Sequence, residues 1–157
     1  QLAAKLGLPY SFASHFAPRM LKQAIQLYRE NFEPSEYLEK PYVSMGVPTV
    51  IADTDEEAEY LATSAYQRVL GLMRGQSLKL KAPVEDMNAL WSPAEKMSVD
   101  NFYAMAQIGS PETVKQSLEQ LLVPYDVDEF IFTCDIYDTE KRKYNFDLLM
   151  QIKNQSH

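Results

Sequence analysis

The chain is poor in the residues that most often carry site chemistry. It has one cysteine, Cys134, and two histidines, His15 and the terminal His157. One thiol cannot close an internal disulfide, and there is no CxxC or comparable zinc spacing, so no metal site is expected. Glycine is scarce at five residues. None of them builds a GxGxxG or P-loop pattern, and GLMRG at Gly71–Gly75 lies at the end of a helical pattern, the wrong end to cradle a phosphate. Positive charge is short as well. Fifteen Lys and Arg stand against 22 Asp and Glu, giving a net charge of -7 and a pI near 4.8. That balance opposes nucleic acid or an anionic membrane as a partner, and the KRK run at Lys141–Lys143 reads as the solvent face of a last helix. No apolar run approaches the roughly 20 residues that span a bilayer, and no basic-then-apolar signal opens the chain. A soluble, cytoplasmic protein is expected.

What is present is an ordinary globular composition, 46% hydrophobic and 24% charged, arranged as alternating strands and helices. Leu2–Leu6 reads as the end of a helix stopped by Gly7, and Pro9 forbids its continuation. Tyr10–Phe16 is an aromatic-rich strand. Pro18 suits the first turn of the next helix, where Leu21, Ala24, Ile25, Tyr28 and Phe32 recur at three- and four-residue steps. Tyr42–Ala52 is β-branched and nearly all apolar, the pattern of a parallel strand covered on both faces, with Gly46 and Pro48 marking an irregularity. Asp53 or Thr54, followed by Glu56 and Glu57, caps a long helix whose apolar stripe runs from Ala58 to Met73. The period lapses between Gln76 and Leu90, a loop long enough to serve as a mobile lid. Ser92-Pro93 with Glu95 and Ser110-Pro111 with Glu112 then start two capped helices. Asp128–Asp135 is the last strand and Thr139–Lys153 the last helix. Three parallel strands with helices on one side are expected, joined by right-handed crossovers.

Four segments carry a resemblance in order and spacing. LAAKLGLPYSFASHFAP, MGVPTVIADTDEEAEYLATSAYQ, LWSPAEK and IGSPETVKQSLEQLL resemble the C-terminal half of bacterial-luciferase-like flavin monooxygenases. The resemblance implies an α/β fold, part of a (β/α)8 TIM barrel. A whole barrel of that type takes about 250 residues, and three strand candidates fill only part of one. The chain also opens in mid-helix without an initiator Met. Residues 1–157 are therefore expected to form a partial luciferase-like barrel domain, lacking the N-terminal half.

By the same resemblance the full-length parent would be an oxidoreductase, a flavoprotein monooxygenase that uses reduced FMN, or alternatively a deazaflavin, and O2 to oxygenate a small organic substrate. A flavin reductase would supply the cofactor. The family's flavin-phosphate segment would fall before residue 1, so this chain alone is expected to hold no flavin and to be inactive. Its partner would be the missing half, or another copy of the chain joined through exposed sheet edges. The alternative reading is a non-catalytic half-barrel acting as an assembly or scaffold module.

Reactive groups of a parallel barrel lie at the C-terminal ends of its strands. Here these are Ser14, His15 and Phe16, then Ala52 and Asp53, then Cys134, Asp135 and Tyr137. His15 is the candidate catalytic residue, a base of near-neutral pKa at a barrel mouth, or else a ring that packs under the next helix. The resemblance implies that Ser14 and Phe16 line the flavin or substrate cavity, and pleat alternation lets only one of two neighbours face inward. Asp53 reads as a helix cap and Asp135 as a turn residue, not as a carboxylate pair. The helix starts at Ser92 and Ser110 offer N–H groups to an anion, and capping alone accounts for both.

Overall fold

The computed structural model describes residues 1–14 and 20–154. Within them the order is α1 (Leu2–Lys5), β1 (Tyr10–Ala13), α2 (Leu21–Glu30), β2 (Val43–Ile51), α3 (Asp55–Met73), α4 (Pro93–Phe102), β3 (Gln107–Gly109), α5 (Pro111–Ser117), β4 (Glu129–Thr133) and α6 (Thr139–Asn154). All strand pairings are parallel, and β2 is at the centre of every one. β1 pairs with its first half, Tyr10 opposite Val43 through Ala13 opposite Gly46. β4 takes the other edge, Ser44 opposite Glu129 through Pro48 opposite Thr133. The three expected strands are thus neighbours.

The fourth strand, β3, is an addition to the expected set. It pairs Thr49–Ile51 with Gln107–Gly109, because β2 outruns both of its longer neighbours and its last three residues need backbone partners.

Pleat alternation divides β2 into two faces. Val43, Met45 and Val47 are buried against Leu21, Ile25 and Tyr28 of α2, with Phe12 of β1 and Phe130 and Phe132 of β4 packed beside them. Burying each such side chain stabilises the fold by about 1.5–3 kcal/mol. Ile51, on the same face, meets Val114 of α5 with Leu148 and Ile152 of α6. Val50 and Ala52 belong to the other face, where α3 covers them with Ala58, Leu61 and Ala62. The expectation of helices on one side only is not met; α3 closes the second face where β2 extends past β1 and β4.

Two local devices hold the frame. Gly7 has φ +59°, and a Cβ there would stand 2.4 Å from Ser35 Cβ, so only glycine allows the loop after α2 to cross this close. Tyr28 donates its hydroxyl to the Leu8 carbonyl at 2.8 Å and accepts the Tyr42 N–H at 3.2 Å, tying α2 to the starts of β1 and β2. The segment from Gln76 to Leu90, read as a lid, lies along α3 as a strap: Val84 N–H donates to Thr63 Oγ1, Gln67 Nε2 to the Ala82 carbonyl, and Met87 is buried.

Candidate functional site at the strand ends

One face of the sheet is open over its first half. Register and alternation place Ser11, Ser44 and Glu129 in one row across the three strands, Ala13, Gly46 and Ile131 in the next, then Pro48 and Thr133. Ser11, Glu129, Ile131 and Thr133 are exposed, Ile131 at 45%. Along these rows Ser44 is buried, Ala13, Gly46 and Pro48 are half-buried, and the last row abuts Ala65 of α3 and Tyr103; the opposite face is packed. An open face of small and polar side chains behind a closed core is what one wall of a chamber looks like.

At the C-terminal rim of this wall, Arg68 of α3 donates to Asp135, just past β4. Tyr103 closes the space beside them and donates its hydroxyl to the Ala65 carbonyl at 3.2 Å. Burial, and then the Asp135 charge, push the Tyr103 hydroxyl up to about 12, with Arg68 opposing. A cavity of about 10 Å³ lies between Tyr103, Thr133, Asp135 and Pro48, room for about one water molecule. Arg68 and Tyr103 escaped the sequence reading. Arg68 looks like any solvent-side helix residue, and its partner is 67 positions away.

Ser14 is 1% exposed; its N–H donates to the Gly46 carbonyl, and among the described residues its hydroxyl has no hydrogen-bond partner. His15 and Phe16 lie outside the described residues. Cys134 is half-buried, and burial pushes its thiol up to about 11. The two aspartates do not form a pair. Asp53 accepts from the Tyr144 hydroxyl at 2.7 Å and does not cap α3; Thr54 does, its Oγ1 accepting the Glu57 N–H at 3.1 Å. Asp135, read as a turn residue, is bound to Arg68, while Asp138 accepts the Lys141 N–H at 2.9 Å.

Both capped helix starts are internally filled. At α5 the Ser110 N–H donates to Asp55 Oδ1 at 2.7 Å, and the Thr113 hydroxyl to Oδ2 at 3.0 Å, which holds the Asp55 carboxyl below its usual range, the Ser110 bond contributing most. At α4 the Ser92 N–H donates to Glu95, which Arg74 also grips at 2.7 and 3.0 Å. The Arg74 bonds first, then Ser92, lower the Glu95 carboxyl to about 2. Among the described residues no group of three or more His, Cys, Asp or Glu could hold a metal ion, and no helix is long and apolar enough to cross a membrane.

Comparison with known proteins gives this architecture a family. The profile of the luciferase-like monooxygenase family matches residues 1–124. A luciferase-like monooxygenase of Escherichia coli is 42% identical over 155 residues, covering 99% of this chain and 46% of that protein. The uncharacterized protein YvbT of Bacillus subtilis is 41% identical over 152 residues, covering 97% and 45%. The chain belongs to the luciferase-like monooxygenase family, and it spans about half the length of the curated relatives it matches.

Solved structures share the fold. That of apo-MsnO8 superposes with a TM-score of 0.74 at 23% identity, over 97% of this chain and 46% of the other. A coenzyme F420-dependent tetrahydromethanopterin reductase from Methanopyrus kandleri gives 0.56 at 14%, over 95% and 45%. A riboflavin lyase with modified FMN gives 0.52 at 18%, over 98% and 40%.

Proposed function

We propose that this chain forms the second half of the reaction chamber of a flavin-dependent monooxygenase that oxygenates a small organic substrate with O2. The observation that carries the reading is the run of small side chains Ser11, Ala13, Ser44 and Gly46 on the face of the parallel sheet opposite the α2 core, with Ser11 exposed, Ala13 and Gly46 half-buried and Ser44 buried. Side chains this small leave room for a flat ring system. The buried Ser14 hydroxyl, without a partner among the described residues, is a hydrogen-bonding group at the strand end suited to a ring edge. His15 and Phe16 follow it directly, His15 as the proposed proton carrier and Phe16 as a lining residue.

The described residues fit the ring of such a cofactor but not its phosphate. Both helix starts already hold carboxylates, Asp55 and Glu95, and the rim cation Arg68 is committed to Asp135. The phosphate contacts are therefore assigned to a complementary half-barrel, which would also cover this face and pair with the edges of β1 and β4 that have no strand partner among the described residues. That half is the N-terminal part of a family barrel, or another copy of this chain across the same edges. Reduced FMN is the proposed cofactor, a deazaflavin the alternative; when bound it supplies the electrons that activate O2, and a separate reductase would reduce it. The chain's own contribution is to orient the ring, hold the substrate and exclude water.

The filled helix starts favour a second reading, a half-barrel scaffold that never carries flavin. Co-expression with the first half of the Escherichia coli relative separates the two. A stable assembly that consumes O2 with reduced FMN and substrate supports the enzyme; a stable assembly without flavin or turnover supports the scaffold.

A further inference from the structure

Away from the open wall, a cleft of about 520 Å³ lies between the first turns of α3 and the end of the strap, a volume in the usual range of small-molecule sites, about 300–1,000 Å³. Aromatic rings form its walls. Tyr60 and Tyr66 come from α3 and Trp91 from the chain just before α4, and the Tyr66 and Trp91 centroids are 6.0 Å apart at 37°.

Around these rings stand five carboxylates, Glu56, Glu59, Glu85, Asp86 and Asp100, against one cation, Lys96. They do not converge on a point that could hold a metal ion. Hard cations require several oxygens on one centre, whereas dispersed carboxylates beside ring faces suit a larger, weakly hydrated cation.

Lys96 already shows the recognition at work inside the cleft. Its ammonium lies 5.6 Å from the Trp91 ring centroid and pairs with Asp100 at 2.7 Å. Glu59 accepts from the Tyr66 hydroxyl at 3.1 Å, and Asp86 from the Asn88 N–H at 2.8 Å. Glu56 and Glu85 have no hydrogen bond or ion pair among the described residues, so two negative charges face the cleft uncompensated. We propose that the cleft binds an organic ammonium ion, a primary or methylated alkylamine, its charge met by Glu56 and Glu85 and its alkyl part resting on Tyr60, Tyr66 and Trp91. The site stands independently of the flavin reading. A ring contact between Tyr66 and Tyr103, 5.5 Å between centroids, joins it to the rim of the open wall.

Trp91 is the only tryptophan of the chain, so its emission reports on the cleft directly. The protein is titrated with tetramethylammonium chloride and with putrescine dihydrochloride, against sodium chloride at matched ionic strength and against butane-1,4-diol. A saturable emission change with an ammonium ion, absent with sodium and the diol, is expected. In the Glu56→Gln/Glu85→Gln double variant binding weakens by about tenfold or more, the loss of about 1.4 kcal/mol, with an unchanged circular dichroism spectrum. The same emission change with sodium chloride, no saturable change with either ammonium ion, or unaltered affinity in the folded double variant overturns the proposal. Should the double variant not fold, the comparison of ammonium, sodium and diol on the unaltered chain decides alone.

Discussion

Asn145 stands in for a strand beside Ile51. Its Oδ1 accepts the Ile51 N–H at 2.8 Å, and its Nδ2 donates to Thr49 Oγ1 at 3.2 Å, which in turn donates to the Thr133 carbonyl at 3.1 Å. β4 ends at Thr133 opposite Pro48, so the last residues of β2 would otherwise have nothing on that edge. Asn145→Leu leaves a buried donor unmet, which costs about 1–3 kcal/mol. Urea unfolding should show that loss of stability; an unchanged midpoint would show that Asn145 does not carry the strand end.

Ser14 offers a test in which stability and function move oppositely. Ser14→Ala removes a buried hydroxyl that has no partner among the described residues, so the isolated chain should become more stable by about 1 kcal/mol. In an assembled enzyme the same change should weaken flavin binding if the hydroxyl meets the ring. Thermal unfolding of the chain and a flavin titration of the assembly read the two effects separately.

Acid should loosen the starts of α4 and α5. Glu95 ionises near 2 in the folded chain against 4.5 for a free group, and Asp55 is lowered from 3.8. The unfolded chain therefore takes up protons first, so this stabilisation is complete above the unfolded values and disappears as pH falls through the folded ones. Helicity followed from pH 6 to about pH 2 should fall along this limb, and Glu95→Gln should flatten it. A variant with the same acid limb as the parent would contradict the assignment.

Cys134 should be a sluggish thiol. Its pKa is raised from 9.0 to about 11 by burial, so near pH 8 the thiolate fraction is about a hundredfold below that of an unshifted thiol. With one cysteine in the chain, a colorimetric thiol reagent reads it without ambiguity. Rapid stoichiometric labelling of the folded chain at pH 8 would count against the burial of this residue.

The parts of the fold visible in the sequence are those written in neighbouring residues. Serine, proline and glutamate at Ser92-Pro93-Glu95 mark a helix start that the structure reproduces as a capping box, and the apolar stretch from Val43 to Ile51 announces a central strand. β3 was not visible, because Gln107–Gly109 is three residues long and exists only through its pairing with the overhanging end of β2. The Asp53 cap was misassigned for a similar reason: Asp53 and Thr54 are both good caps, and Tyr144, 91 residues away, decides between them. The Arg68–Asp135 rim and the aromatic cleft depend on packing between distant segments, which periodicity does not encode. Ser14 was legible as a strand-end residue, but its unpartnered hydroxyl appears only once the burial is known.

On the proposed function, the wall holds flavin only when a second half-barrel completes the chamber. Equilibrium titration of FMN, followed by the quenching of its fluorescence, compares residues 1–157 alone with the same chain assembled with the first half of the Escherichia coli relative. Two lost charge-assisted hydrogen bonds, at about 1.5–3 kcal/mol each, separate the two cases by on the order of a hundredfold or more. Saturable binding is expected for the assembly and none for the chain alone at low micromolar FMN. Low-micromolar binding by the chain alone, with oxidation of a substrate, would show that the half-barrel is already a complete enzyme.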